Sequence, residues 1–152
     1  MNLIRLANVN DIDNLIKIKP QLTREEISKR LLRQKEGDVE YLVLEKDSEL
    51  LSFAFLKYKG KKTHPEYPDI EDLYTKNGQR RNGYATKLIK ECEKRAKEKG
   101  FGKIGLAVNP KLNRDAMKFY EKIGYRHDGK KSYIDAVYNG KEDWVVDLEK
   151  KL

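Results

Sequence analysis

The stretch "GQRRNGYATK", from Gly78 to Lys87, places two arginines, an asparagine and two glycines between a predicted strand and a predicted helix. Unpaired backbone amides and the positive end of the helix dipole favour an anion at such a junction. Gly83 lets the backbone approach that anion closely, because glycine has no side chain. Gly78 and Gly83 have the spacing of a P-loop, but Tyr84 and Ala85 replace the lysine and the hydroxyl that a P-loop requires. The stretch therefore predicts a pyrophosphate site and argues against an NTPase.

The segments upstream of this stretch alternate between helix and strand patterns. Apolar residues recur at three- and four-residue spacing in the helices, and every second residue or in short runs in the strands. The predicted elements are a strand over 3–7, a helix from Asn10 to Pro20, a helix from the Thr23–Glu26 capping box to Gly37, and strands in "VEYLVLE", "LLSFAFLKY" and "DIEDLYT". The turn "KDSE" predicts that the first two of these three strands form a hairpin.

The downstream half continues the alternation. A one-faced helix is predicted from Gly83 to Gly100, followed by a strand in "KIGLAV". A further helix follows in "NRDAMKFYEKIG", where Asn113 is the predicted cap and Gly124 the end. The strands "SYIDAVY" and "KEDWVVDLE" are joined by the two residues Asn139 and Gly140, a strong hairpin signal. The predicted order is therefore β-α-α-β-β-β-α-β-α-β-β.

A dinucleotide fingerprint in the downstream half is misleading. "GFGKIG", from Gly100 to Gly105, matches G-x-G-x-x-G in every letter. That fingerprint works only after a strand and before a helix, because the pyrophosphate must lie on the helix N-terminus. Here the order is reversed, so the glycines are expected to end a helix and form a tight turn.

Length, composition and charge indicate one folded domain over 1–152. Lys and Arg exceed Asp and Glu by 33 to 25, which gives a net charge of +8. Both signs are interspersed along the chain, so the surplus indicates a soluble surface more than a nucleic-acid partner. The N-terminal residues lack the apolar run of a signal peptide, and no stretch approaches the ~18 apolar residues of a membrane helix. We therefore expect a cytoplasmic protein.

Cysteine and histidine usage limits the chemistry further. Cys92 is the sole cysteine, so no internal disulfide or cysteine-based metal site can form, which suits a reducing compartment. It falls on the apolar stripe of the helix predicted over 83–100 and is expected to be a core side chain, not a nucleophile. His64 and His127 lie far apart without acidic partners at ligand spacing, so no metal is expected.

Two motifs at the right separation resemble those of the GNAT superfamily of N-acetyltransferases. Arg80, Gly83 and Ala85 fit the signature [RQ]-x-x-G-x-[GA]. The second pattern, N-x-x-A-x-x-[FL]-Y-x-x-x-G-[FY], is fitted by Asn113, Ala116, Phe119, Tyr120, Gly124 and Tyr125. The resemblance covers the whole chain and implies the α/β (α+β) fold of that family, with a mixed central sheet of about seven strands and four helices. Ala85 stands where many members have glycine, a variation that the signature permits.

The resemblance implies acetyl-CoA as cosubstrate and places it on named residues. Backbone groups of Leu73, Tyr74 and Thr75 would pair with the pantetheine arm, and a backbone N–H there would face the thioester oxygen. Asn113 and Tyr120 would contact the arm and the sulfur from the last helix. The pyrophosphate would be held by the amides of Arg81, Asn82, Gly83, Tyr84, Ala85 and Thr86, with added charge from Arg80.

Acetyl transfer to an amine also needs an acid and a base. Tyr120 is the candidate acid for the departing thiolate, since its family counterpart lies near the sulfur. Asp69, Glu71 and Leu73 would share one strand face by the two-residue period, with Asp72 on the other. We expect Glu71 to be the base, directly or through water, with Asp69 as the alternative.

The acceptor amine is not determined by the sequence. The first two helices, the loop 59–68 and the final hairpin usually shape this site in the family, but they do not choose between a polyamine, an aminoglycoside, an amino acid and a protein terminus. The expected partners are acetyl-CoA and an amine, with a homodimer left open and no membrane. A non-catalytic acyl-CoA-binding module is the alternative function, and a basic nucleic-acid-binding protein is a weaker one.

Overall fold

A computed structural model describes residues 2–152, which form one mixed sheet flanked by helices. The strands are β1 (Asn2–Leu6), β2 (Val39–Lys46), β3 (Glu49–Lys57), β4 (Asp69–Thr75), β5 (Lys103–Val108), β6 (Arg126–His127), β7 (Tyr133–Tyr138) and β8 (Lys141–Lys151). The helices are α1 (Ile12–Ile18), α2 (Arg24–Glu36), α3 (Tyr84–Glu98) and α4 (Arg114–Lys122). The predicted order and fold class are confirmed. β6 is an addition, because two residues are too short to show a periodicity.

The sheet is antiparallel except at one place. The strand order is β1-β2-β3-β4-β5-β8-β6, with β7 paired to β8, and only β4 and β5 run parallel. Those two strands pair at a single position, Asp69 opposite Gly105, near the start of β4. Beyond it the edge of β4 that faces β5 has no strand partner within residues 2–152. The gap between the two strands positions the site described below.

Each face of the sheet has its own hydrophobic core. On one face the stripe of α3, which includes Leu88, Ile89 and Cys92, is fully buried against the sheet. On the other face α1 and α2 cover an aromatic cluster in which Tyr41 contacts Phe53 and Phe55 edge to face. A sheet covered on both faces needs apolar residues at consecutive positions, which is why β2 and β3 read as continuous apolar runs.

The helix ends follow the sequence with one correction at the first helix. Asn8, not Asn10, is the residue whose side chain caps this region, and it caps a short turn ahead of α1, whose own N-cap is Asp11. The Asn8 side chain accepts from the Asn10 amide, and the Asp11 carboxylate accepts from the Asn8 amide. A 3₁₀ turn over Val9–Asp11 then leads into α1. The prediction of Asn10 was wrong because capping depends on the backbone angle of the preceding turn, which the residue type alone does not reveal.

The later helices begin and end at the predicted residues. Thr23 accepts a hydrogen bond from the Glu26 amide at the start of α2, and Gly37 ends that helix with φ +97°. Asn113 occupies the cap position of α4 but makes no side-chain capping bond. Gly124, at φ +105°, follows the end of α4.

Candidate active site

The loop before α3 forms a surface suited to an anion. Gly83 is the N-cap of α3 with φ +77°, a backbone conformation that side chains disfavour. The first turn of α3 contains no acidic residue, and the first amides of a helix have no partner within it. Arg80 and Arg81 are exposed beside them. The donors and the charges at this helix start therefore fit a pyrophosphate.

A cleft of about 560 Å³ runs from this helix start along β4 to α4. We call it the loop cleft. It is lined by Leu73, Tyr74, Thr75, Gln79, Arg80, Arg81, Gly83, Tyr84, Ala85, Thr86, Asn113, Ala116, Phe119 and Tyr120. The structure thus brings together every predicted cosubstrate residue except Asn82, whose side chain donates to the Gln79 carbonyl at 3.1 Å and braces the loop. Gln79 is a lining residue that the family signature had not indicated.

A second cleft, of about 310 Å³, is also lined by Tyr120. It shares Leu73, Asn113, Ala116 and Tyr120 with the loop cleft. We call it the acidic cleft, because five carboxylates and two lysines line it: Asp69, Glu71, Asp72, Asp135, Asp143, Lys19 and Lys61. Two ligands bound in the two clefts would meet at Tyr120 and Leu73.

Tyr120 keeps its proton in this environment. It lies on α4 with its ring 5.4 Å from that of Phe119 and 6.3 Å from that of Tyr125. Burial raises the pKa of its hydroxyl, and the negative charge of Asp72 raises it further. The hydroxyl is therefore protonated at neutral pH and can donate a proton or a hydrogen bond.

A β-bulge at Glu71 changes the faces of β4. Asp72 is opposite Phe55 and Ile70 is opposite Leu56, which leaves Glu71 as the extra residue. Ile70 and Leu73, three positions apart, both pack into the core cluster under α3. The expectation that Asp69, Glu71 and Leu73 share one face by strict alternation was therefore wrong. A bulge depends on the register with β3, which no pattern within β4 shows.

The bulge gives Glu71 and Asp72 different surroundings. The Glu71 side chain is 44% exposed and lies 3.3 Å from the Lys57 ammonium. The Asp72 carboxylate accepts from Lys19 at 2.9 Å and from Arg30 at 3.0 Å, on the side of α1 and α2. Asp72 also lines the acidic cleft. Its negative charge is thus balanced by two cations, whereas Glu71 is held loosely.

The carboxylate of Asp69 is buried and paired with a histidine. The His64 Nε2 lies 3.1 Å from Asp69 Oδ1, and the two side chains are 1% and 2% exposed. The sequence had given His64 no acidic partner. Two residues could have indicated this pair. Asp69 follows His64 by five residues, and Gly105, which pairs with Asp69 from β5, leaves space for the imidazole, because a Cβ at Gly105 would lie 3.2 Å from the His64 ring.

Comparison with models of protein families identifies the family of this chain. The model of the acetyltransferase (GNAT) family matches residues 7–125. The chain therefore belongs to this family. Its class, an N-acetyltransferase, is the one that the two motifs predicted.

Solved structures share the fold over nearly the whole length. An N-acetyltransferase from Staphylococcus aureus is 20% identical with a TM-score of 0.80, and 99% of this chain and 98% of that chain are covered. A PaiA N-acetyltransferase from Thermoplasma acidophilum, in complex with coenzyme A, is 21% identical with a TM-score of 0.74, at 100% and 99% coverage. A GNAT-family acetyltransferase from Streptococcus pneumoniae is 20% identical with a TM-score of 0.77, at 100% coverage of both chains. A search of curated protein sequences found no significant match.

Two further features of residues 2–152 bear on the setting of the site. None of the described helices has the length and apolar character needed to span a membrane. Within the same residues, no group of three or more His, Cys, Asp or Glu side chains is arranged to hold a metal ion.

Proposed function

We propose that this acetyltransferase moves an acetyl group directly from acetyl-CoA to a primary amine of a small molecule or peptide. The observation that carries the proposal is the meeting of the two clefts at Tyr120 and Leu73. One cleft presents cations and helix amides, and the other presents carboxylates. An anionic cosubstrate and a cationic amine would thus approach each other from opposite sides.

The loop cleft would hold acetyl-CoA in three places. The amides at the start of α3, with Arg80 and Arg81, would bind the pyrophosphate, since the positive helix end and the two guanidiniums favour negative charge. The unpaired edge of Leu73, Tyr74 and Thr75 would pair with the pantetheine arm as an added strand does. Asn113, the N-cap of α4, and Tyr120 of that helix also line the cleft and would contact the arm and the sulfur.

The reaction requires a proton to leave the amine and a proton to reach the sulfur. Tyr120 would supply the proton to the sulfur, because it is protonated and lies where the clefts meet. Glu71 and Asp69, the two candidate bases from the sequence, both line the acidic cleft, where one of them would take the proton from the amine. Bringing the two reactants together in a fixed orientation supplies much of the rate enhancement in such transfers.

The acidic cleft favours an acceptor that carries positive charge. A primary alkyl amine has a pKa of about 10.4 and is an ammonium at neutral pH. Among the described side chains, only the neutral Asn109 amide donates a hydrogen bond to Asp143, at 2.8 Å. The Asp135 side chain is 40% exposed, and its Oδ1 lies 3.1 Å from the Lys61 ammonium nitrogen. These carboxylates, and the Tyr138 side chain beside them, form the wall that the acceptor would contact.

An amine panel with two readouts tests this function. Wild-type protein and acetyl-CoA are incubated with a diamine, a polyamine, an aminoglycoside, free amino acids and peptides with free N-termini. We expect release of free thiol with at least one amine, together with a product heavier by one acetyl group. Acetyl-CoA binding by calorimetry without thiol release on any amine would instead indicate a non-catalytic acyl-CoA-binding module.

The cellular compartment is a separate question. The reducing, cytoplasmic setting that the single cysteine indicates stays a prediction.

A further inference from the structure

A buried histidine–aspartate pair lies behind the acidic cleft. Asp69 lines that cleft, and His64 contacts it from the loop that precedes β4. His64 also lines a separate cleft on the far side, together with Tyr67 and Glu149. A buried carboxylate and a buried imidazole are costly to keep unless they serve as partners, and their distance of 3.1 Å shows that they do.

The backbone fixes the orientation of the imidazole. His64 Nδ1 lies 3.2 Å from the Tyr67 carbonyl oxygen, which can only accept, so Nδ1 carries a hydrogen. Nε2 faces the Asp69 carboxylate, which also only accepts, so both ring nitrogens carry a hydrogen and His64 is an imidazolium, in line with the upward direction of its pKa. The ring stacks on Tyr67 at 4.3 Å with an interplanar angle of 9°. Gly105 leaves room for both rings, since a Cβ there would lie 3.0 Å from Tyr67 Cε2 and 3.2 Å from the imidazole.

The charges around the pair make Asp69 a competent base. Burial raises the pKa of Asp69, while the hydrogen bond from His64 and the charge of Lys61 oppose that rise and the charge of Asp147 adds to it. Burial lowers the pKa of His64, but the hydrogen bond and charge of Asp69 outweigh it and the net direction is upward. A carboxylate whose pKa is raised toward the working pH accepts a proton more effectively than an exposed one.

We propose that Asp69 is the general base that takes a proton from the acceptor ammonium, and that His64 is a positioning residue that holds its carboxylate. The proposal rests on the proposed function and names the base within it. Asp69 is preferred to Glu71 because it lines the acidic cleft with a side chain that is 2% exposed and held by His64 through Oδ1, whereas the side chain of Glu71 is 44% exposed. The rigid carboxylate keeps a fixed position relative to an incoming amine.

The proton transfers balance over the whole reaction. Asp69 takes one proton from the ammonium, and the freed lone pair on nitrogen forms the C–N bond at the thioester carbonyl. The C–S bond breaks with its electron pair on sulfur, and Tyr120 donates its proton to that sulfur. Tyr120 regains a proton from the acylated nitrogen, which becomes a neutral amide. Asp69 releases its proton to solvent, so the products are an amide, a free thiol and one proton.

The test is the pH profile of kcat/KM between pH 6 and 9, with the amine that the wild-type enzyme uses best. Asp69→Asn should lower kcat/KM by about 10²-fold or more at low pH, because a positioned base contributes ~10²- to 10⁴-fold. The defect should shrink as rising pH supplies neutral amine. His64→Leu should move the acidic limb to higher pH, since the carboxylate loses the hydrogen bond that lowers its pKa. His64→Gln can still donate a hydrogen bond to Asp69, so its acidic limb should lie between that of His64→Leu and that of the wild type.

Three controls make the result decisive. Acetyl-CoA affinity by calorimetry should stay within about twofold in each variant, which shows that the fold is intact. If Asp69→Asn fails this check, the position of the acidic limb of the kcat/KM profile in His64→Leu tests the proposal instead. Glu66→Gln, an exposed carboxyl on the same loop, should keep the wild-type profile. A wild-type profile in Asp69→Asn, or a pH-dependent defect confined to Glu71→Gln, overturns the assignment of the base alone. Absence of turnover of any amine by the wild-type enzyme overturns the proposed function and, with it, this assignment.

Discussion

At the scale of single residues, Tyr120 depends on its surroundings to remain an acid. Burial and the nearby charge of Asp72 both raise the pKa of its hydroxyl. The ordinary pKa of tyrosine is about 10, so the raised value keeps the proton in place throughout the neutral range. A role that needs protonated Tyr120 is therefore available throughout the neutral range and is lost only as the pH rises through the raised pKa of its hydroxyl.

Tyr120→Phe removes this proton while keeping the ring. We expect acetyl-CoA affinity to be nearly intact and kcat to fall by about 10²-fold or more. The defect should be constant between pH 7 and 9, in contrast to the pH-dependent defect expected of a missing base. Steady-state kinetics under conditions where chemistry limits the rate measure it. A wild-type kcat would remove Tyr120 from the reaction.

Cys92 allows a test of direct transfer. Its side chain lies on the sheet-facing stripe of α3 and is fully buried, and burial raises the pKa of its thiol, so a thiolate nucleophile is disfavoured. Cys92→Ala should keep most of the acetyl-transfer rate and cost about 1 kcal/mol of unfolding free energy from the lost packing. Mass spectrometry during turnover provides the check, since an acetyl group found on Cys92 would show a covalent intermediate instead.

At the scale of elements, the junction of β4, the loop and α3 matters most. The loop has to turn through left-handed conformations at Gly78 and Gly83, with φ of +86° and +77°, before the helix can begin. A Cβ added at either glycine would meet no heavy atom within 4 Å. Substitution at both positions therefore costs a similar backbone strain, of about 1–2 kcal/mol. Only Gly83 lines the loop cleft.

These two glycines form a matched pair for the phosphate site. Gly83→Asp should weaken acetyl-CoA binding by tenfold or more, because it places a negative charge at the helix start. Gly78→Asp, with the same charge and similar strain outside the cleft, should change affinity by about twofold at most. Calorimetry on both proteins measures the difference. Equal affinities in the two folded variants would exclude the start of α3 as the pyrophosphate site.

At the scale of the whole molecule, ligand binding should couple to stability. A net charge of +8 favours an anionic ligand over the whole surface, and a ligand that binds only the folded chain stabilises it by mass action. At 100 times its Kd, acetyl-CoA should add about 2.7 kcal/mol. For a chain of this size that corresponds to a rise in Tm of about 5–10 °C.

Thermal unfolding with and without acetyl-CoA measures this coupling. The rise should be much smaller in Gly83→Asp at the same ligand concentration, because the variant binds less of the ligand. High salt should reduce the rise in the wild type, since part of the attraction is between exposed charges. The absence of a shift at saturating acetyl-CoA would contradict the proposed cosubstrate.

Features that depend on neighbouring residues along the chain could be predicted from the sequence. Helix periodicity, the Thr23 cap, the Asn139–Gly140 turn and the glycine-rich loop before α3 act within a few positions, so their patterns are visible locally. They were enough to predict the element order, the family and the residues around the loop cleft.

The contacts between segments that are distant along the chain could be seen only in the folded protein. The bulge at Glu71 depends on the register of β4 against β3, and the gap between β4 and β5 depends on their single pairing at Asp69. The partnership of His64 with Asp69 depends on a glycine in β5, Gly105, that leaves room for the imidazole. Register, pairing and free volume between strands are set by the whole packed sheet, so no pattern within one segment records them.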